Sequence, residues 1–167
     1  AAYPTENLVW RSLFGLLFWD ELFAGSDSSV HSPFEFLPAS LANGNFYEQC
    51  GDRIEERLAL LDTPATAKKE LLRISTRHYG TPNGVFRWRW GMNDAVFALL
   101  DHGQPAAVAA VLRRLCRDYA NSRYGYPDVM IVDEDGLRTR IAEELDVDVE
   151  RVGPPHLRLE RWIEIAR

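Results

Sequence analysis

Carboxylates stand at three places in this sequence where they could do chemistry rather than only keep a surface wet. Glu6 opens an apolar stretch, on the same helical face as Trp10, Leu13 and Leu17. A first-turn carboxylate complements the helix dipole, worth about 0.3–1 kcal/mol when exposed. One that faces an apolar core instead needs a compensating partner, and a bound cation is one. Asp128 follows Pro127 and heads the run Val129-Met130-Ile131-Val132. Proline is tolerated where a strand begins, and an aspartate at the mouth of a buried strand is a rigidly placed ligand of the kind metal-assisted hydrolysis requires. It is equally an ordinary turn residue. The third place is the acidic run Glu143, Glu144, Asp146, Asp148 and Glu150, which reads as a solvated, aggregation-resistant strand edge or as the source of one further ligand.

The elements that must position these acids follow from local pattern. Thr5 can cap a helix running to about Ala24, closed by Gly25. That helix is apolar nearly all round and is expected at the centre of the core. Its stretch from Leu8 to Phe23 is interrupted by Arg11 and Asp20-Glu21 and is shorter than the roughly 20 apolar residues a membrane span needs. A Ser- and Pro-containing loop follows, from Ser26 to Pro38. Asp52 and Glu55 form a capping-box pattern that predicts a helix over Arg53 to Leu61. Thr63-Pro64 starts another, to about Tyr79 with Gly80 as its stop. Phe86, Trp88 and Trp90 alternate with Arg87 and Arg89, which predicts a short strand over Val85 to Trp90. Asn93 or Asp94 caps Ala95 to Leu100. Pro105 opens a helix over Ala106 to Asn121, with Val108, Val111, Leu112, Leu115 and Cys116 inward and Arg113, Arg114 and Arg117 outward.

Beyond that helix the pattern turns to strands. Val129 to Val132 reads as a strand buried on both faces, Asp133 to Gly136 as a turn, and Leu137 to Ala142 as a hairpin return. Leu145 to Val149 alternates as a further strand, Gly153-Pro154-Pro155 breaks it, and Leu157 to Ile165 closes the chain as a helix. The expected class is α+β: a helical part over about residues 1–121 packed on a small sheet part over about 122–167, in one domain. The 167 residues are 46% hydrophobic, enough for one well-cored domain and short for two. Cys50 and Cys116 fit no metal spacing and read as small buried apolar residues. His31, His78, His102 and His156 likewise lack ligand spacing. No basic segment precedes an apolar core, so no secretory leader is expected. The net charge of −6 gives no bulk attraction to nucleic acid. Of the 19 basic residues, all but Lys68 and Lys69 are arginine.

Two segments carry a family resemblance. The opening Tyr3-Pro-Thr-Glu-Asn-Leu-Val-Trp-Arg-Ser-Leu-Phe-Gly-Leu-Leu-Phe-Trp-Asp resembles the start of the nuclease domain of the Fanconi-associated nucleases, where a glutamate begins a helix that runs on through Gly-Leu-Leu-x-Trp-Asp. Arg113-Arg-Leu-Cys-Arg-Asp-Tyr-Ala-Asn-Ser-Arg-Tyr-Gly-Tyr-Pro-Asp-Val-Met-Ile-Val resembles that family's arginine-rich helix leading into its Gly-x-Pro-Asp strand. The likeness covers roughly residues 3 to 137.

The resemblance implies a virus-type replication-repair (VRR) nuclease of the PD-(D/E)xK type, with the helical part set on a small mixed β-sheet. By the same resemblance Glu6, Asp128 and Glu143 hold Mg2+ or Mn2+, and Asp128 and Glu143 are catalytic. Glu150, in Val149-Glu-Arg-Val-Gly-Pro, is the alternative to Glu143. A carboxylate set without histidine suits those hard cations. The family's Glu-x-Lys lysine is missing, because no lysine follows Lys69. Leu145 or Val152 stands in its slot, and reduced or absent turnover is expected. The implied partner is flap, branched or single-strand-containing DNA, in an intracellular setting and without a membrane. Arg113, Arg114, Arg117 and Arg123, helped by Arg87 and Arg89, are the expected grip on phosphate. A degenerate nuclease fold that binds DNA or protein without cutting is the competing expectation.

Overall fold

The computed structural model describes residues 2–4, 7–24, 37–126, 129–133 and 136–140. A short strand, β1 (Ala2–Pro4), precedes α1 (Leu8–Leu17), and a π-helical turn follows at Asp20–Ala24. Next come α2 (Ala39–Ala42), α3 (Phe46–Ala59), a 3-10 turn at Leu60–Asp62, α4 (Pro64–His78), α5 (Met92–His102), α6 (Pro105–Arg117) and α7 (Tyr119–Ser122). The described chain ends in a hairpin, β2 (Val129–Asp133) and β3 (Gly136–Arg140).

α1 is the core helix that its composition predicts. Val9, Trp10, Leu13, Phe14, Leu16 and Leu17 are all buried, and α1 packs against α4, α5 and α6. Around it sits an aromatic cluster in which Phe14 stacks on Tyr119 at 5.4 Å and meets Phe18 and Phe46 edge-on at 5.3 and 6.2 Å. The expected inward face of α6 (Val108, Val111, Leu112, Leu115, Cys116) is buried throughout. Pro64 opens α4 and Gly80 ends it at φ 80°. His78 stacks on Trp19 at 4.8 Å, a structural role.

Several boundaries differ from the sequence reading, for physical reasons. α1 begins at Leu8, not after Thr5, because Asn7 sits in the left-handed region at φ 61°. Its far end opens into the π turn, where Asp20 and Glu21 reach Arg57 of α3 at 2.8 and 3.3 Å. α3 starts at Phe46 and runs through Asp52, so the Asp52–Glu55 pattern is interior rather than a cap. Burial of Phe46 against Phe14 and Phe18 outweighs the weak local signal. Asn93 and Asp94 lie inside α5, whose preceding residue is Gly91 at φ 74°. α6 stops at Arg117, where Asp118 caps α7 by accepting from Asn121 N–H at 3.3 Å.

Val85 to Trp90 is not a strand. Val85 and Phe86 are both buried although adjacent, because Asn83 Oδ1 accepts from both of their amides at 3.1 and 2.9 Å and turns the chain inward. The carbonyl of Val85 accepts from Arg11 Nε of α1 at 2.7 Å.

The described strands form one antiparallel sheet in the order β1-β2-β3. Pro4 stands opposite Val129, and Asp133 opposite Gly136 across the hairpin turn. The hairpin is where the sequence places it. β1 was not anticipated: three residues are too few for periodicity to show, and only pairing with β2 makes them a strand. The expected strand at Leu145–Val149, the C-terminal helix at Leu157–Ile165 and Gly153-Pro154-Pro155 lie outside the described residues. No helix among the described residues is long and apolar enough to cross a membrane.

The contact between α1 and the Val85-Phe86 turn is tight enough to test. A Cβ placed on Gly15 would lie 2.6 Å from Phe86 Cε1, closer still to Phe86 Cδ1, and 3.2 Å from Val85 Cγ1. Alanine gains about 1 kcal/mol of helix propensity over glycine, but overpacking a core typically costs about 1–3 kcal/mol. Phe86 is clamped by Asn83 and cannot retreat cheaply. Gly15→Ala is expected to destabilise the fold by up to about 2 kcal/mol in urea unfolding. A stabilised variant would show that the turn can move.

Candidate functional site

Glu6, Asp128, Glu143 and Glu150 all lie outside the described residues; the residues that flank the first two are described. On one side of them, Pro4 of β1 is the register partner of Val129 of β2. On the other, Asn7 Oδ1 accepts from the Tyr126 amide at 2.8 Å, across 119 positions of sequence. The rings of Trp10 and Tyr126 meet at 5.6 Å, one turn along α1. The start of the core helix and the approach to β2 are thus fastened together at two points.

Asn7 is the residue that sequence reasoning missed. It is the only non-glycine residue at positive φ among the described ones, a conformation asparagine tolerates better than most side chains. Its carboxamide does not cap its own helix; it reaches across to the β2 approach. Nothing local marks it for this, since an asparagine before a helix reads as a cap.

The expected arginines divide into distinct environments. Arg113 holds Glu55 through a two-pronged pair, Nε and Nη2 each 2.7 Å from a carboxylate oxygen. Tyr47 OH adds a third bond to Glu55 at 2.8 Å. These contacts, led by the bond from Arg113, draw the Glu55 carboxyl down to about 2. Arg113 therefore ties α6 to α3, and its fork is occupied. Arg117 lies over the Tyr47 ring at 4.5 Å, and Arg114 Nε donates to Ser122 at 3.1 Å. Arg123 lies between two rings, 4.8 Å from Tyr124 and 5.9 Å from Tyr119. Its Nε is buried without a hydrogen-bond partner among the described residues. Burial raises the hydroxyl pKa of Tyr119, which flanks this cation, and of Tyr126. Arg87 and Arg89 are exposed, with no ion pair among the described residues.

The two tryptophans of that loop also part company. Trp88 packs against Phe86 at 4.9 Å and Trp19 at 5.9 Å, and donates from Nε1 to Thr81 O at 2.8 Å. Trp90 is 100% exposed. A second ionic centre, which the sequence reading did not single out, joins Arg57 to Asp20, Glu21 and Glu70 at 2.8, 3.3 and 2.9 Å. Arg73 joins it through Glu70 at 2.8 Å.

No protein-family model matches the chain. The fold is that of a Fanconi-associated nuclease. The crystal structure of paFAN1 bound to 2-nucleotide 5′ flap DNA with a gap superposes with a TM-score of 0.75 at 23% identity, over 100% of this chain and 30% of that one. The chain is 30% identical over 150 residues to the Fanconi-associated nuclease 1 homolog of Caenorhabditis elegans, covering 83% of this chain and 17% of that protein. It is 27% identical over 172 residues to the homolog of Pseudomonas aeruginosa, covering 100% and 29%. Over this stretch the chain is a relative of the Fanconi-associated nucleases, as its two motifs indicate. It spans less than a third of the length of the relatives it matches.

Two consequences of this geometry can be measured. Asn7→Ala removes the acceptor for the Tyr126 amide and puts a residue that disfavours positive φ at 61°. A loss of about 2–3 kcal/mol is expected in urea unfolding. Asn7→Asp keeps the acceptor and should lose less; equal losses would mean that the bond carries nothing. For the Arg113–Glu55 pair, a depressed carboxyl contributes stability above its unfolded value of about 4.5 and loses it as pH falls toward about 2. Both side chains are partly exposed, which limits the pair to about 1 kcal/mol. The deficit of Arg113→Gln against wild type should therefore be present at pH 6 and vanish between pH 4.5 and pH 2. A deficit constant with pH would contradict this.

Proposed function

We propose that this chain is the nuclease portion of a metal-dependent, structure-selective DNA phosphodiesterase of the VRR, PD-(D/E)xK type, acting on flap, branched or single-strand-containing DNA inside the cell. The observation that carries the reading is the double fastening beside the two acids: Pro4 opposite Val129, and Asn7 bonded to Tyr126. Glu6 lies between the first members of these contacts and Asp128 between the second. Carboxylates 122 positions apart in sequence would otherwise have no reason to share a cation.

Among the described residues, no group of three His, Cys, Asp or Glu side chains is placed to hold a metal ion. The ligands of the proposal are Glu6, Asp128 and Glu143, with Glu150 as the alternative to Glu143, and their donor chemistry fits. Carboxylate oxygens without histidine suit Mg2+ or Mn2+. When bound, such an ion polarises the phosphate and makes water nucleophilic near neutral pH.

The chain's own contribution is positioning. Asp128 follows a proline and meets a strand paired on both sides, by β1 and by β3, a rigid mounting for a ligand. Arg123, in no ion pair with a carboxylate among the described residues, is the α6–α7 arginine proposed to meet a phosphate. It is five positions before Asp128 and three before Tyr126 in sequence. A second reading, a fold that binds DNA or protein without cutting it, rests on one specific observation. No lysine follows Lys69, so the group that would offset charge on the reacting phosphate has no counterpart, and arginine does not substitute for it in reach or geometry.

Two measurements decide between them. Mn2+ binding followed by calorimetry is expected to be stoichiometric and to be lost in Glu6→Ala. Cleavage of a 5′ flap duplex in Mn2+ is expected to be slow and to fall at least about a hundredfold in Asp128→Ala, the scale of losing one group that stabilises a transition state. Absence of both binding and cleavage would leave the non-cutting reading.

A further inference from the structure

From Leu71 to Asn93 the chain carries four arginines and not one carboxylate, although its net charge is −6. In the fold this stretch forms the C-terminal half of α4 and the loop that leads to α5. Arg73 is taken up by Glu70, whereas Arg77, Arg87 and Arg89 are exposed. Exposed among them are two large aromatic rings, Tyr79 at 69% and Trp90 at 100%.

The loop is not loose. Gly80 and Gly91 bound it, both at positive φ. Asn83 fastens Val85 and Phe86, Thr81 O accepts from Trp88 Nε1, and Val85 O accepts from Arg11. Trp88, packed between Phe86 and Tyr79 at 4.9 and 5.5 Å, plugs its base. Trp88 is half-buried against its neighbours, while Trp90, flanked in sequence by cations, is left fully outside. Burial of such a ring is ordinarily among the largest favourable terms a chain has, and an aromatic left out among cations is the combination that single-strand-binding surfaces use to stack bases. The immediate neighbours are Arg89 and, two positions further back, Arg87, so the partner is anionic as well as flat. An unpaired nucleotide meets both requirements: its base offers a face to stack on and its phosphates take the guanidinium groups. A base within a duplex is already stacked and cannot use the ring.

We infer that the Thr81–Gly91 loop is a single-strand contact, with Trp90 stacking on an unpaired base and Arg87 and Arg89 holding the flanking phosphates. This rests on the proposed nuclease reading for its substrate but not on the acid site, and it assigns the single-strand preference to this loop rather than to the arginines of α6. The test is equilibrium binding of fluorescein-labelled DNA in EDTA, where no cleavage occurs, comparing a duplex bearing a single-stranded 5′ arm with the same duplex made blunt.

Trp90→Ala is expected to weaken binding of the armed duplex about fivefold to a hundredfold, the range for one stacked base, while blunt binding changes less than twofold. Trp90→Phe should recover most of the loss. Arg87→Gln with Arg89→Gln should reduce the salt slope of log K by about two on the armed duplex. Because Trp90 touches solvent alone, its variants should unfold at the wild-type temperature, so a loss of binding is not a loss of fold. The inference is overturned if Trp90→Ala binds armed and blunt DNA as wild type does, if it weakens both equally, or if the wild-type chain binds neither. It is also overturned if sedimentation shows a dimer that Trp90→Ala dissolves, since the ring then meets a second copy. Failure of cleavage or of Mn2+ binding, with the Trp90 effect intact, would remove the acid site and leave this contact standing.

Discussion

The joint between Asn7 and Tyr126, backed by the pairing of β1 with β2, is the constraint on which the rest of the structure turns. It closes a loop of 119 positions. On the chain-entropy scaling that closure costs about 4 kcal/mol before any constant is added, whereas one net hydrogen bond returns about 1 kcal/mol. The bond cannot hold the loop shut by itself. The helical body closes most of that distance first, by burying α1 among α4, α5 and α6, and the joint then sets the last few ångströms. α1 is the rigid axle from which both the helix start and the strand approach are referenced.

Charge is handled in the same divided way. Seventeen arginines against two lysines suggest a surface made for phosphate, but the fold spends several of them internally. Arg113 and Arg57 are cross-links between helices, each gripping carboxylates from other elements. Arg113 makes the forked pairing that guanidinium makes and ammonium does not, and Arg57 spreads its three nitrogens over three carboxylates. Arg117 covers an aromatic ring. Among the described arginines, Arg77, Arg87 and Arg89 are exposed and in no ion pair with a described residue, and Arg123 is held between tyrosines at the approach to β2. Which arginines are structural and which are available is a property of helix packing, and the spacing of arginine along α6 does not encode it.

The sequence by itself determined the core helix, the inward face of α6, the proline start and glycine stop of α4, and the β2–β3 hairpin. In each the information is local: an apolar period, a proline or glycine with a backbone preference, or two apolar runs around a tight turn. Its two motifs likewise sufficed for the family. Tertiary structure alone decided the rest. β1 exists only because β2 lies beside it. Asn7 adopts a left-handed backbone and turns its carboxamide to a residue 119 positions away. Val85 and Phe86 both point inward because one asparagine takes both of their amides, which defeats the alternation that reads as a strand. Trp88 and Trp90, identical in type and spacing, end as a half-buried plug and a bare ring. Side-chain period reports which face is apolar only while the backbone stays regular. Where a cap, a turn or a long-range bond bends it, the partner that does the bending is far away in sequence and becomes visible only in the folded chain.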